Sequence, residues 1–203
     1  MVPSPSFYIM GKRIARNKKV FGVGINDYCG SVCGDNGKLI QAYRDWYNML
    51  ARCYGNNRGV TYQDCSVCDE WLYASNFIKW HNEHYIDGWE LDKDIIKKGN
   101  KMYSPDTCFF VPREINSMLT RRQNDRGKYP LGVRENTGRQ GYVGIIWTLQ
   151  GKKRKVFYNV MDAFMAYKQS KEMYIKHVAD KYKDRISEKA YHALYCYTIS
   201  IDD

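Results

Sequence analysis

The chain has 203 residues, enough for one ordinary domain or two small ones, and its 44% hydrophobic residues, 15% aromatics and only 5 prolines exclude a disordered chain. Its formal net charge of +10 is uneven, because residues 118–185 carry 16 Lys or Arg against 6 Asp or Glu, while residues 1–117 carry 15 against 13 and residues 186–203 carry 1 against 3. Such a block suits a polyanion, nucleic acid first and an anionic membrane second, with a plain solvated basic face as the alternative.

Residues 1–19 combine Pro, Ser and the cluster "GKRIARNKK" without sustained periodicity, so they read as an extended basic arm. "VFGVGIND" predicts a short strand ending in a turn, and "CGDNG" a second turn. In "IQAYRDWYNMLAR", Ile40, Tyr43, Tyr47 and Leu50 recur near helical spacing and Trp46 and Met49 widen the stripe, which predicts a core helix. "EWLYASNFIKWHNEH" repeats the pattern through Trp71, Phe77 and Trp80, with Asp69 and Glu70 placed for a helix N-terminus. "ELDKDII" alternates and then meets "KKGNK", as a strand entering a loop would, and "SPDTCFFVPREINSMLTRR" reads as turn, short strand over 108–111 and a helix from about Pro112.

The polar stretch "RQNDRGKYP" interrupts the apolar pattern and marks a domain boundary. After it come three strand candidates, "LGVREN", "GYVGIIWTL" and "KKRKVFYN", separated by the turns "TGRQ" and "QGK". Asn159 with Asp162 three residues on resembles a capping box at the head of a long helix. Its apolar face holds Val160, Phe164, Tyr167, Tyr174, Ile175, Val178 and Tyr182, leaving Lys168, Lys171, Lys176 and Lys181 largely outside. No apolar run reaches the roughly 20 residues that cross a bilayer, and no charged-then-apolar leader opens the chain, so no membrane partner and an intracellular, cytoplasmic location are expected.

Hydrolysing a phosphodiester requires a cation to stabilise the developing charge and a base to deprotonate water. "LDKDI" with "GN" downstream, then "YSPDTCFFVPREIN", resembles the HNH, or ββα-metal, homing endonucleases of phages, and "YPLGVRENTG…GYVGIIW…NVMDAFMAYKQSKEMYIKHVA" resembles the AP2-type DNA-binding module that accompanies them. The resemblance covers roughly residues 43–182. It implies an α+β fold: an arm and short strand over 1–39, an HNH-like hairpin-and-helix domain over 40–122, and an AP2-like three-stranded sheet plus helix over 128–203 with a helical extension. It also implies double-stranded DNA as partner, Asp92 and Asn116 as ligands of a catalytic Mg²⁺ or Mn²⁺, and, for a phage-encoded protein, the host cytoplasm.

Two positions depart from the HNH pattern. Lys93 stands where the pattern has its histidine, and Thr107 where it usually has an asparagine. A lysine with a reference pKa of about 10.4 is no base at neutral pH without strong desolvation or neighbouring cations. Asp94, His81 or His84 are the candidate replacements, and the alternative is a non-cleaving DNA-binding or nucleoprotein component in which Lys93 holds a phosphate. Asp92 and Asp94 also fit a loop-edge pair bonded to local amides, and His81 and His84 fit surface positions.

Seven cysteines, an odd number, point to metal ligands or buried thiols before a disulfide framework. Cys65 and Cys68 form one CxxC knuckle that Cys53 and Cys108 would complete as a structural Zn²⁺ site, with buried apolar thiols as the alternative. Cys29 and Cys33 form a weaker CxxxC pair, and Cys196 reads as core. For DNA contact the candidates are Arg121, Arg122, Arg134, Arg139, Trp147, Lys153 and Arg154, since a sheet face can enter the major groove with Arg on guanine and aromatics on sugar or thymine methyls. Trp147 fits a core position between sheet and helix equally well.

Overall fold

A computed structural model of the chain describes residues 7–9, 12–14, 19–119 and 128–203, the first two stretches as backbone. The fold is mixed α+β and divides into two compact units, Met1–Phe110 and Val111–Asp203. Most of the polar stretch read as a domain boundary lies outside the described residues.

In the first unit, β1 (Phe7–Ile9) and β2 (Lys12–Ile14) pair antiparallel within the arm. Where a short strand was expected, Val20–Gly24 closes as a turn, with the Gly24 N–H donating to the Val20 carbonyl at 2.8 Å. Phe21 and Gly22 explain the difference, because φ values of 50° and 79° lie in the left-handed region that a strand cannot use. Helix α1 (Gln41–Tyr54) follows the predicted stripe and buries Tyr43, Trp46, Met49, Leu50 and Cys53.

The single helix predicted from Glu70 is broken in two. Asp69–Leu72 forms a 3₁₀ turn, Tyr73 is extended, and α2 runs over Ala74–His84. The cause is a remote strap: Ile25 donates to the Leu72 carbonyl and accepts from the Ala74 N–H, and Asp27 accepts from both the N–H and the hydroxyl of Ser75. Asp27 thus satisfies a first-turn donor that α2 lacks a local cap for. Trp71, Phe77 and Ile78 join Trp46 in the core, and the Trp46 indole N–H donates to the Trp71 carbonyl at 2.8 Å.

The rest of this unit is a set of short strands: β3 (Ser66–Val67), β4 (Trp89–Asp92), β5 (Met102–Tyr103) and the first half of β6 (Phe109–Pro112). β3 pairs parallel with β5, and β4 pairs with β6.

The second unit begins with α3 (Arg113–Leu119), then the antiparallel sheet β7 (Val133–Glu135), β8 (Tyr142–Thr148) and β9 (Gly151–Phe157) in the order β7-β8-β9. Helix α4 (Val160–Tyr182) starts as predicted, with the Asn159 side chain accepting the Met161 N–H, and α5 (Glu188–Tyr195) is capped by Ser187. α4 buries Ala163, Phe164, Tyr167, Ile175, Val178 and Ala179. Cys196, read as core, is exposed at the end of α5. No helix among the described residues is long and apolar enough to cross a membrane.

Candidate functional site

The hairpin of the first unit buries Lys93 and ties Asp92 into its turn. Asp92, at the end of β4, uses Oδ1 to accept the N–H groups of Asp94 and Ile95 at 2.8 and 2.9 Å, which closes the turn after the strand. Desolvation pushes its carboxyl above the ordinary carboxylate range. Lys93 is buried at 5% exposure, and its Nζ lies 2.7 Å from Asp94 Oδ1 and 2.7 Å from the Asn100 carbonyl oxygen, with the Tyr103 ring at 5.7 Å. The Asn100 amide donates back to the Lys93 and Met102 carbonyls, so Lys93 and Asn100 lock the loop between β4 and β5 from both ends. Thr107 closes the next turn, bonding Ser104 Oγ and donating to the Met102 carbonyl.

These contacts give the two departures from the HNH pattern a packing role. The Lys93 ammonium is enclosed by a carboxylate, a carbonyl and an aromatic face, and Asp94 is its ion-pair partner. Asn116 lies on α3 in the second unit.

The two histidines differ from each other. His84 is exposed, stacks on Trp80 at 4.7 Å and places Nδ1 2.7 Å from the Trp80 carbonyl oxygen. His81 is buried at 2% exposure, against the surface position read for it, with Nε2 3.0 Å from Asp45 Oδ2 of α1. The reason is its place on the α2 stripe Ala74, Phe77, Ile78, His81, and Tyr85 and Phe110 pack around the ring. Sequence reading missed Asp45 as its partner, and that apolar spacing was the available signal.

Cys53, Cys65 and Cys108 are buried, and burial pushes the Cys53 and Cys108 thiols up to about 12. The Cys53 thiol lies near Cys65, while Cys108 neighbours Thr107, Asp92 and Lys93, and Cys68 sits half-buried beside Glu70 and Trp71. Among the described residues no three His, Cys, Asp or Glu side chains converge as a metal-holding group.

The sheet of the second unit exposes its charges. All residues of β9 from Gly151 to Val156 are exposed, including Lys152, Lys153, Arg154 and Lys155, and β9 is an edge strand. Lysines on an edge also discourage strand pairing with another chain. Among the described residues, Lys153 and Arg154 have no acidic or aromatic partner, and Arg134 and Arg139 are exposed in the same way.

Register sorts these side chains by face, since directly paired residues of antiparallel strands share one. Arg134, Val143 and Val156 form one row, followed on the same face by Ile145 with Arg154 and Trp147 with Lys152. Val133, Gly144 and Lys155 lie on the other, where a Cβ on Gly144 would come 3.0 Å from the Ala163 carbonyl oxygen. Helix α4 thus comes close at Gly144, while its Phe164 and Tyr167 also pack with Ile145 and Trp147 of the other face.

β7 pairs only as far along β8 as Gly144, so the β8–β9 hairpin runs on as a two-stranded ribbon. One ribbon edge meets α4, where Ser170 Oγ accepts the Trp147 N–H at 3.2 Å, and the β9 edge stays open. Trp147 is half-buried with its ring 5.1 Å from Tyr174 and the ammonium groups of Lys152 and Lys171 at 4.2 and 5.2 Å. It belongs to the sheet–helix packing. Arg121 and Arg122 lie outside the described residues.

No known protein-family model matches the chain, and neither a curated protein nor a solved structure matches it.

Proposed function

We propose that the protein binds double-stranded DNA through the β7–β9 sheet, acting as a DNA-binding or nucleoprotein component, and that this sheet with α4 is an AP2-like module. The observation that carries the reading is the open β9 edge, where Lys153 and Arg154 stand without partners among the described residues on a ribbon of two strands. A two-stranded ribbon is of a size that the major groove admits, and unpaired cations on it would replace counterions along the phosphates. Arg134 and Arg154, on one sheet face, are the candidates for base edges, and Lys152, Lys153, Lys155 and Arg139 for phosphates. Measured between 50 and 200 mM salt on a duplex of mixed sequence, affinity is expected to fall by about three decades for ~6 neutralised phosphates. Salt-independent binding, or none at low salt, would remove this function.

The HNH resemblance of the hairpin supports a second reading, a metal-dependent endonuclease. Against it stand the Asp92 Oδ1 bonds to two amides and the enclosure of Lys93, which leave the hairpin without a free base at the position of the missing histidine. The expected result of a plasmid-nicking assay with Mg²⁺ and with Mn²⁺ is intact supercoiled DNA; nicking that disappears in Asp92→Ala would establish the endonuclease instead.

A further inference from the structure

Away from the hairpin, the first unit contains a cavity of about 470 Å³ lined by Phe21, Ala51, Tyr54, Gly55, Asn56 and Asn57. Its origin is legible residue by residue. Tyr47, Ala51 and Tyr54 follow one another at i, i+4 and i+7 on α1, so they share a face, and Ala51 is the one short side chain between two aromatic ones. The Val20–Gly24 turn sits against this helix because Gly24 has no side chain: a Cβ there would come 2.4 Å from Leu50 and 3.0 Å from Trp46. The turn carries Phe21 to the helix, its ring centroid 4.9 Å from that of Tyr47.

Both aromatic walls are fixed in advance. The Tyr54 hydroxyl accepts the Val67 N–H at 2.9 Å, and Phe21 is held at φ 50°, the only non-glycine residue with positive φ among those described. A side chain held in that region is strained, and strain of this kind gathers where a fold presents a group to a ligand. Asn56 and Asn57, which also line it, are exposed, and among the described residues neither carboxamide has a hydrogen-bond partner. Arg58, tied to the Cys53 carbonyl at 2.9 Å, keeps a guanidinium at the same helix end.

We propose that this cavity takes an unpaired nucleobase, with Phe21 and Tyr54 as stacking walls and Asn56 and Asn57 on the hydrogen-bonding edge. Aromatic walls match the π face of any base, and carboxamides, each both donor and acceptor, match the mixed donor and acceptor edge that pairing would otherwise occupy. An aliphatic ligand would fill the walls and leave both amides unpaired, and a bare phosphate would meet no cation among the lining residues. The volume falls within the usual range of small-ligand pockets. The inference rests on the nucleic-acid reading above and adds to it a site for bases outside the helix.

The test uses the full chain and two DNA duplexes, one fully paired and one identical except for a single bulged 2-aminopurine. The wild type is expected to bind the bulged duplex about ten-fold more tightly, as one base–aromatic stack would give, and to quench the 2-aminopurine emission. Phe21→Gly removes a wall and relieves the backbone strain, so it is expected to keep or raise thermal stability while abolishing both the preference and the quenching. Ala51→Leu, which fills the floor, is expected to do the same to binding, and affinity for the paired duplex should not change in either. Equal affinity of the wild type for both duplexes would overturn the nucleobase site while leaving DNA binding intact, as would a preference undiminished in both variants. No binding to either duplex would remove the DNA reading and this site with it.

Discussion

Lys93 and Lys153 are both lysines in the strand-rich parts of a basic chain, and the fold treats them in opposite ways. Lys93 is enclosed at 5% exposure, with Asp94, the Asn100 carbonyl and the Tyr103 ring around its ammonium; Lys153 stands open on an edge strand with no partner among the described residues. A cation whose donors are occupied holds a loop together, and a cation whose donors face water is free to exchange that water for a phosphate. Net charge cannot distinguish them, since each adds one to the same total. The two units diverge in the same sense, the hairpin keeping its ionic contacts internal and the sheet presenting them outward.

The largest expected effect is on the inward side. Lys93→Met leaves the Asn100 carbonyl and Asp94 without their cation and should cost about 2–3 kcal/mol, read as a lower urea midpoint, with duplex affinity of the folded protein unchanged. Lys93→His, which restores the residue type of the HNH pattern, is too short to reach both partners and is expected to destabilise without producing nicking. Weakened duplex binding by folded Lys93→Met would show that this ammonium faces DNA.

Two carboxylates, one in each unit, sharpen the contrast through pH. Glu114 on α3 accepts from Lys181 Nζ at 2.6 Å and from the Tyr182 hydroxyl at 2.8 Å on α4, and these donors hold its carboxyl below the ordinary range. Its contribution is therefore present above the unfolded-state pKa and lost as pH falls through the lowered folded value. Because the pair is largely exposed, Glu114→Gln should cost under about 1 kcal/mol at pH 7 and nothing at strongly acid pH. An undiminished cost below pH 3 would mean that the ion pair is not its source.

Asp92 has the opposite sign. Burial raises its folded pKa, so its contribution is fully present below the unfolded value and is lost as pH rises through the raised one. Asp92→Asn keeps an oxygen for the Asp94 and Ile95 amides and removes the desolvated charge. The smallest effect is expected here: stability at pH 7 equal to or above wild type, compared by thermal melts at pH 4 and pH 7, with any gain larger at pH 7. A large loss at both pH values would show that the charge itself holds the turn.

What could be read from the sequence follows the same division. Periodicity in 40–52 and 160–182 located the helices that became α1 and α4, because each buries one stripe and a stripe is a one-dimensional signal. The break at Tyr73 was not legible, since it depends on Ile25 and Asp27, which lie some fifty residues away in the chain. The Lys93 side chain posed the same difficulty: "LDKDI" shows three charges in a row, and only the fold shows the ammonium closing on the Asn100 carbonyl. For Trp147 the sequence left both readings open, and the Tyr174 contact that sets its ring beside α4 is a tertiary one with no signal in the strand alternation. The basic run of β9 was legible outright, because four successive cations in a strand cannot all be buried.

The proposal that the open β9 edge meets the phosphates is tested most directly by the salt dependence of duplex binding in the full chain, wild type against Lys153→Ala/Arg154→Ala. With thermal stability unchanged, since neither side chain has a partner among the described residues, the slope of log K against log salt is expected to shrink by about 1 for each phosphate contact removed, about 2 in all. A double variant that binds with the wild-type slope and affinity would contradict it.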